Sequence, residues 1–236
     1  DCGVLSRRAA EKEIEAGHVT VNGTTAEMGQ KIDPAVDEVC WNRRRIRLPL
    51  SGGVRKYTYI LLHKPVGYVT TLSDDRGRST ISELLKGVPC RVYPVGRLDM
   101  YSDGLLLCTD DGELTNRLTH PSHEVPKVYL ATIGGKLTGA EIRSLGESIE
   151  LDGQMTKPVE TKRIVDCTYR GNPATVVQFT LYEGRNRQIR RMCEAHEKKV
   201  YALTRIQMGG VELGTLPCGK WRYLTETEIA SLRGKD

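Results

Sequence analysis

Four carboxylates lie between residues 99 and 111, and one of them is placed to react. Asp99 closes the run Gly96-Arg97-Leu98-Asp99, after apolar Val92 and Val95 and before Leu105, Leu106 and Leu107. A carboxylate on a loop between two core-bound segments sits where a rigid scaffold usually presents a reactive group. It is ionised at neutral pH and can serve as a nucleophile or a base. Asp99, Ser102 and Asp103 are also ordinary turn formers, so spacing alone leaves a turn and a reactive site both open. A retaining glycosidase needs a second carboxylate about 5 Å away. Asp103, Asp110 and Asp111 fit turns better than that role. His120-x-x-His123 and Cys193-x-x-His196 have ligand-like spacing, but neither has a second pair, so no metal is expected. No glycine-rich phosphate loop is present, and no cofactor is expected.

The elements that must hold Asp99 follow from periodicity and caps. Residues 1–50 read as a small module. Ser6 caps a helix through about Ala16 that Gly17 stops, His18 to Val21 alternates as a strand, and Asn22-Gly23 is a hairpin turn. Asp37 to Trp41 supplies another strand. Pro49 to Gly53 reads as a linker, and a second domain, 54–236, follows. There Tyr57–His63, Tyr68–Leu72, Leu105–Thr109, Lys127–Ile133, Ala174–Leu181, Leu203–Met208 and Trp221–Leu224 read as strands. Helices are expected over Ser79–Leu85, Glu113–Thr119 and Asn186 to about His196. Thr138/Glu141 and Thr225/Glu228 form capping boxes that start two more. In the arginine-rich helix, Ile189, Met192, Cys193 and His196 should face the core, with Arg187, Arg190 and Arg191 on another face. The fold class is α+β, a mostly antiparallel mixed sheet preceded by a small α/β module.

Net charge is only +5, yet it is concentrated. Residues 183–205 hold seven lysines and arginines against three glutamates, and Arg43, Arg44, Arg45 and Arg47 form a second cluster. Concentrated positive charge attracts phosphate through counterion release.

These residues also carry a resemblance. Gly96-Arg97-Leu98-Asp99 with Ser102-Asp103-Gly104-Leu105-Leu106-Leu107 and Thr109-Asp110-Asp111-Gly112 resembles the catalytic segment of the rRNA pseudouridine synthases of the RsuA/RluB group. Lys64-Pro65-Val66-Gly67, Lys127-Val128-Tyr129 and Glu183-Gly184-Arg185-Asn186-Arg187-Gln188-Ile189-Arg190-Arg191-Met192 resemble that family's other motifs, in its order. Ser6-Arg7-Arg8-Ala9-Ala10 with Gly17 to Gly23 resembles the S4 RNA-binding domain. Tyr101-Ser102-Asp103 departs from the family's usual Asn/Tyr-Thr-Ser run.

The resemblance implies a pseudouridine synthase fold and conversion of uridine to pseudouridine in ribosomal RNA. Asp99 would be the essential catalytic residue, Arg190 its cationic partner through two hydrogen bonds, and Tyr129 the ring against the uracil. Arg97 would help evert the base and Leu203 would cover it. Lys64 and Lys127 would be substrate contacts, as phosphate ligands or scaffold charges. Ser6, Arg7, Arg8, Arg185, Arg187 and Arg191 would meet the RNA backbone. Residues 113–127 look most like the RluB branch, which acts on large-subunit (23S) rRNA, with the small-subunit (16S) branch next. A non-catalytic S4-type assembly factor is the alternative of a different class.

Charged residues at 28% and a mean hydropathy of −0.40 imply a soluble protein. No apolar run approaches the roughly 18 residues of a membrane span. Seven cysteines without a Cys-x-x-Cys pair fit reduced thiols, and the first residues show no leader pattern, so a cytoplasmic monomer without membrane contact is expected.

Overall fold

The computed structural model describes residues 4–5, 7–48 and 56–234. The chain divides into two units, residues 1–56 and 57–236. Ser6 and the break at residues 49–53 lie outside the described residues.

In the first unit α1 (Arg7–Glu15) ends where Gly17 takes φ +73°. β1 (Val19–Val21) turns into β2 (Thr24–Thr25) through Asn22-Gly23, both at positive φ as a tight hairpin turn requires. β3 (Val39–Trp41) and β4 (Arg44–Arg45) repeat the device with Asn42 and Arg43. The sheet order is β2-β1-β3-β4. Val21, Ala26 and Val39 form its small core, flanked by Ile14, Val19, Ile32, Ile46 and Leu48. A core this sparse is helped by Glu13, which accepts from Trp41 Nε1 at 2.7 Å and bonds His18 Nδ1 at 3.0 Å. Arg7, Arg8, Arg43, Arg44, Arg45 and Arg47 are all exposed.

The second unit runs β5 (Tyr59–Lys64), α2 (Ile81–Leu84), β6 (Tyr93–Pro94), β7 (Asp103–Thr109), α3 (Gly112–Thr119), β8 (Lys127–Gly134) and α4 (Gly139–Ser144). The hairpin β9 (Glu150–Leu151) and β10 (Gln154–Met155) is followed by β11 (Glu160–Tyr169), β12 (Asn172–Leu181) and α5 (Gln188–Ala195). β13 (Val200–Met208), β14 (Val211–Glu212), β15 (Trp221–Tyr223) and α6 (Glu226–Arg233) complete it. The main sheet has the order β11-β12-β8-β13-β7-β5-β15, with β14 on β13 and β6 on β7. Its one parallel pairing is β13 with β7, of only two rungs, Thr204 opposite Asp103 and Arg205 opposite Gly104.

Alternation fixes the faces. Tyr59, Leu61, Leu105 and Leu107 pack on Leu114 and Leu118 of α3 and Ile229 and Leu232 of α6. Ile60, Leu62, Leu106 and Cys108 point the other way, onto Ile81 of α2. Ala131, Ile133, Val177 and Phe179 pack on Ile189, Met192 and Cys193 of α5. The capping boxes form at Thr138/Glu141 and Thr225/Glu228.

Two expectations change, and one strand, β11, was not expected. Tyr68–Leu72 is not a strand; it makes one isolated bridge, Val69 to Thr80, and otherwise bends under the Asp99 loop. β11 carries no sequence signal, because an edge strand with mostly exposed residues needs no apolar face; β12 holds it by backbone pairing around a bulge at Arg163–Val165. His196 is the half-buried C-cap of α5, beyond its core face.

Candidate active site

The loop from Gly96 to Ser102 is held by its neighbours before any substrate arrives. Thr70 Oγ1 donates to the Leu98 carbonyl at 2.6 Å and accepts from the Leu98 N–H at 3.2 Å. Gly67 N–H donates to the Met100 carbonyl at 2.7 Å. Lys64, fully buried, donates from Nζ to the carbonyls of Pro65, Asp99 and Ser102 at 2.9, 3.1 and 2.9 Å. The Lys64-Pro65-Val66-Gly67 segment thus clamps the Asp99 loop from its two ends, Lys64 and Gly67. Burial pulls the Lys64 ammonium down to about 8, and the charges of Asp99 and Asp103 partly oppose that pull.

The Asp99 carboxylate is oriented at both oxygens. Oδ1 accepts from the Tyr101 N–H and Oδ2 from the Ser102 hydroxyl, each at 2.8 Å. Arg190 Nε lies 3.8 Å from Oδ2, within ion-pair distance. The expected two-hydrogen-bond fork does not form. Arg190 instead donates from Nη1 to the Val200 carbonyl at 3.2 Å and from Nη2 to the Tyr101 carbonyl at 2.8 Å. The guanidinium is thus fixed by backbone, and its Nε has no hydrogen-bond partner among the described residues. It supplies charge beside Asp99 while leaving the carboxylate, with a 24% exposed side chain, open to solvent.

A cavity of about 910 Å³ opens over the Asp99 carboxylate. Arg97, Asp99, Tyr129, Leu203, Arg185 and Arg187 all line it. Arg97 is exposed and pairs with no carboxylate among the described residues. Leu203 is buried and Tyr129 half-buried in the wall. Asp74, another wall residue, is held well below the carboxylate range by Arg78, whose Nη2 donates to it at 2.5 Å.

The other expected contacts separate. Lys64 has no exposure and every donor is directed at a carbonyl, so of the two readings it is the scaffold charge and not a phosphate ligand. Lys127 donates to the Val125 carbonyl at 3.0 Å, and burial with the nearby Arg205 charge lowers it to about 8. Arg185 spends its guanidinium on the carbonyls of Leu151, Gln154 and Met155 and on Glu183, tying the β9–β10 hairpin to α5. Arg191 forks onto Asp152 at 2.8 and 3.0 Å. The three arginines of α5 therefore do not share a face: Arg187 caps the helix at φ +49°, exposed, while Arg190 is buried.

Periodicity did not single out Ser102, Thr70 or Arg205. Arg205 is 2% exposed, donates from Nε to the Leu105 carbonyl at 2.7 Å, and sets Nη1 3.5 Å from the Tyr129 hydroxyl. Its place in the basic cluster suggested phosphate, but the side chain is inside, with Nη2 unpartnered. Its signal was an arginine two residues after Leu203 in an apolar strand, hence on the same buried face.

A carboxylate fixed at both oxygens, beside a buried cation and in a cavity that an aromatic ring also lines, suits chemistry at an electrophilic sugar carbon. The RNA pseudouridylate synthase family profile matches residues 58–195, which include Lys64, Arg97, Asp99, Tyr129 and Arg190. This chain belongs to the RNA pseudouridylate synthase family. An S4 domain matches residues 3–36. An uncharacterized RNA pseudouridine synthase of Aquifex aeolicus is 42% identical, over 98% of this chain and 90% of its own. The ribosomal large subunit pseudouridine synthase B of Bacillus subtilis is 37% identical, over 98% and 91%. A crystal structure of a pseudouridylate synthase superposes with a TM-score of 0.67 at 31% identity, over 98% of this chain and 95% of that one. The enzyme is thus an RNA pseudouridine synthase with an S4 domain, and its sheet is the mixed, mostly antiparallel one expected.

Proposed function

We propose that this enzyme isomerises a specific uridine of ribosomal RNA to pseudouridine, acting on the large subunit, with Asp99 as the catalytic group. The observation that carries the reading is Asp99 itself, oriented by Tyr101 and Ser102 and faced by Arg190 at 3.8 Å inside a cavity walled by Tyr129 and Leu203. The large-subunit assignment is supported by the 37% identical Bacillus subtilis relative.

The reaction breaks the N1–C1′ bond, turns the uracil and joins C5 to C1′; the C5 proton leaves and N1 gains one. The everted base packs between Tyr129 and Leu203, as flipped bases are held by aromatic and apolar walls. Asp99 either attacks C1′ or takes a proton from C2′, and both routes begin from the ionised carboxylate. Arg190 offsets the loss of water around that charge when RNA covers the cavity. Arg97, at the exposed rim, fills the space the base leaves.

Tritium release from rRNA labelled at uridine C5 tests the role. Asp99→Asn should abolish release and leave RNA binding near that of the wild type. Persisting turnover would remove Asp99 from the mechanism, and an inactive wild type that still binds rRNA would leave an assembly factor. Mapping pseudouridine in both rRNAs of a strain lacking the gene decides the subunit: loss of a small-subunit site would overturn the large-subunit assignment.

A further inference from the structure

β7 begins at Asp103, opposite Thr204, so Val200 to Leu203 of β13 run past its start with no strand on that side. The fork opens a second cavity of about 710 Å³, lined by Arg190. The two cavities share Tyr101 and Leu203, and Tyr101 is 59% exposed. A volume of this order holds a nucleotide.

The outer wall is aromatic and basic. Tyr169 and Tyr201 stack with ring centroids 5.3 Å apart and 14° between planes, and the Arg170 guanidinium lies 5.6 Å over Tyr169. Gly134 makes the stack possible, since a Cβ there would stand 2.6 Å from the Tyr201 hydroxyl. Arg170 and Lys199 are exposed, line the cavity, and have no carboxylate in ion-pair reach among the described residues. The one acid in the lining, Asp103, is engaged by the Thr204 hydroxyl at 2.7 Å and lies 3.8 Å from His63 Nε2.

Unpaired cations beside aromatic rings, along an open strand edge, are the means by which single-stranded nucleic acid is gripped without reading its sequence. The geometry points to a flanking-nucleotide site: a single-stranded RNA segment next to the target uridine occupies the fork between β7 and β13. Its base packs against Tyr101 and the Tyr169–Tyr201 wall, and its phosphates meet Arg170 and Lys199. Because Tyr101 belongs to both cavities, a chain leaving the catalytic one enters this one directly. The assignment rests on the pseudouridine synthase reading for its account of which nucleotide lies next door, and on the surface itself for RNA contact.

The test is the salt dependence of binding of a labelled oligouridylate of about ten nucleotides to the full chain. The double variant Arg170→Gln/Lys199→Gln should bind several-fold more weakly. Its slope of log affinity against log salt should fall by about 1.4, some 0.7 for each phosphate of the single strand that is no longer neutralised. Tyr169→Ala should weaken binding about tenfold, in the range of one base stack removed. A 4-thiouridine substituted into the oligonucleotide should crosslink to the peptides of Tyr101, Tyr169 or Tyr201. Affinity and slope unchanged in the double variant would overturn the site, and so would crosslinks confined to other peptides. An active wild type with an unchanged slope refutes this surface alone. An inactive wild type whose slope still depends on Arg170 and Lys199 refutes the synthase reading and keeps the surface.

Discussion

Lys64 is expected to position Asp99 without touching substrate, and Lys64→Met separates those possibilities. Methionine keeps the length of the chain and deletes the ammonium that binds the carbonyls of Pro65, Asp99 and Ser102. The fall from the ordinary 10.5 to about 8 means that the site disfavours the charged amine, at about 1.4 kcal/mol per pH unit and so roughly 3 kcal/mol in all. Losing that penalty favours the variant, but three buried carbonyls lose their donor, at about 1–3 kcal/mol each. The balance is a loss of about 3 kcal/mol in stability. Two of those carbonyls flank the reactive side chain, and a shift of about 1 Å there is worth roughly 100-fold in rate. Tritium release and denaturant melts on the same samples measure both. The pH course adds a signature. Below about 8 folded and unfolded chains both hold the Lys64 proton, and the penalty is constant. Between about 8 and 10.5 the unfolded chain binds the proton that the folded one has shed, so stability rises with pH. Lys127, also near 8, contributes equally to both proteins, and the difference between them isolates Lys64. A Lys64→Met enzyme with wild-type stability, rate and pH course would refute the clamp.

Gly104→Ala places a methyl 2.3 Å from the Arg205 carbonyl at a φ of +108°. Strain and overpacking together should cost about 4 kcal/mol and lower Tm by roughly 10 °C; thermal melting showing a change under about 2 °C would contradict the close seam. Arg205→Met removes a positive charge that depresses both Lys64 and Lys127, so both lysines should titrate higher, read by NMR of their side chains. Unmoved lysines would show that Arg205 does not reach them. Glu228 is held at about 2 by hydrogen bonds from Arg222, at 2.8 and 2.6 Å, and from Thr225. Its stabilising effect is full above 4.5 and is lost as pH falls through about 2, so Glu228→Gln should flatten that part of the acid melting curve. An unchanged acid limb would assign the loss to other carboxylates.

The apolar alternation of β5, β7 and β8 and the capping boxes of α4 and α6 were legible because burial and helix ends leave local signatures. β11 left none, since its place depends on what β12 offers and not on its own side chains. Asp99, Tyr129 and Arg190 could be named from motif order and Leu203 from the family resemblance, and they meet around one cavity or against its carboxylate. What those residues do with their remaining atoms could not be read. Arg185, Arg190 and Arg191 look alike in sequence, yet one ties a hairpin, one is pinned beside a carboxylate and one forks onto Asp152. Which carbonyl a guanidinium reaches is decided by residues far away in the chain, 89 positions for Tyr101 and Arg190 and 100 for Leu105 and Arg205.

Two backbone rungs join β7 to β13, helped by Thr204 on Asp103 and Arg205 on the Leu105 carbonyl, and the reacting groups stand on opposite banks of that seam. Asp99 enters from the β7 side; Tyr129, Leu203 and Arg190 come from the β8–β13 side. A small opening along this line would part the carboxylate from its counter-charge before the core that Leu105 and Leu107 share with Met208 and Val211 came apart. Catalytic competence should therefore vanish earlier than structure on warming, with amide exchange at Gly104 and Arg205 outpacing that of Leu106 or Val177. The sheet's short parallel joint is also where the active site is assembled.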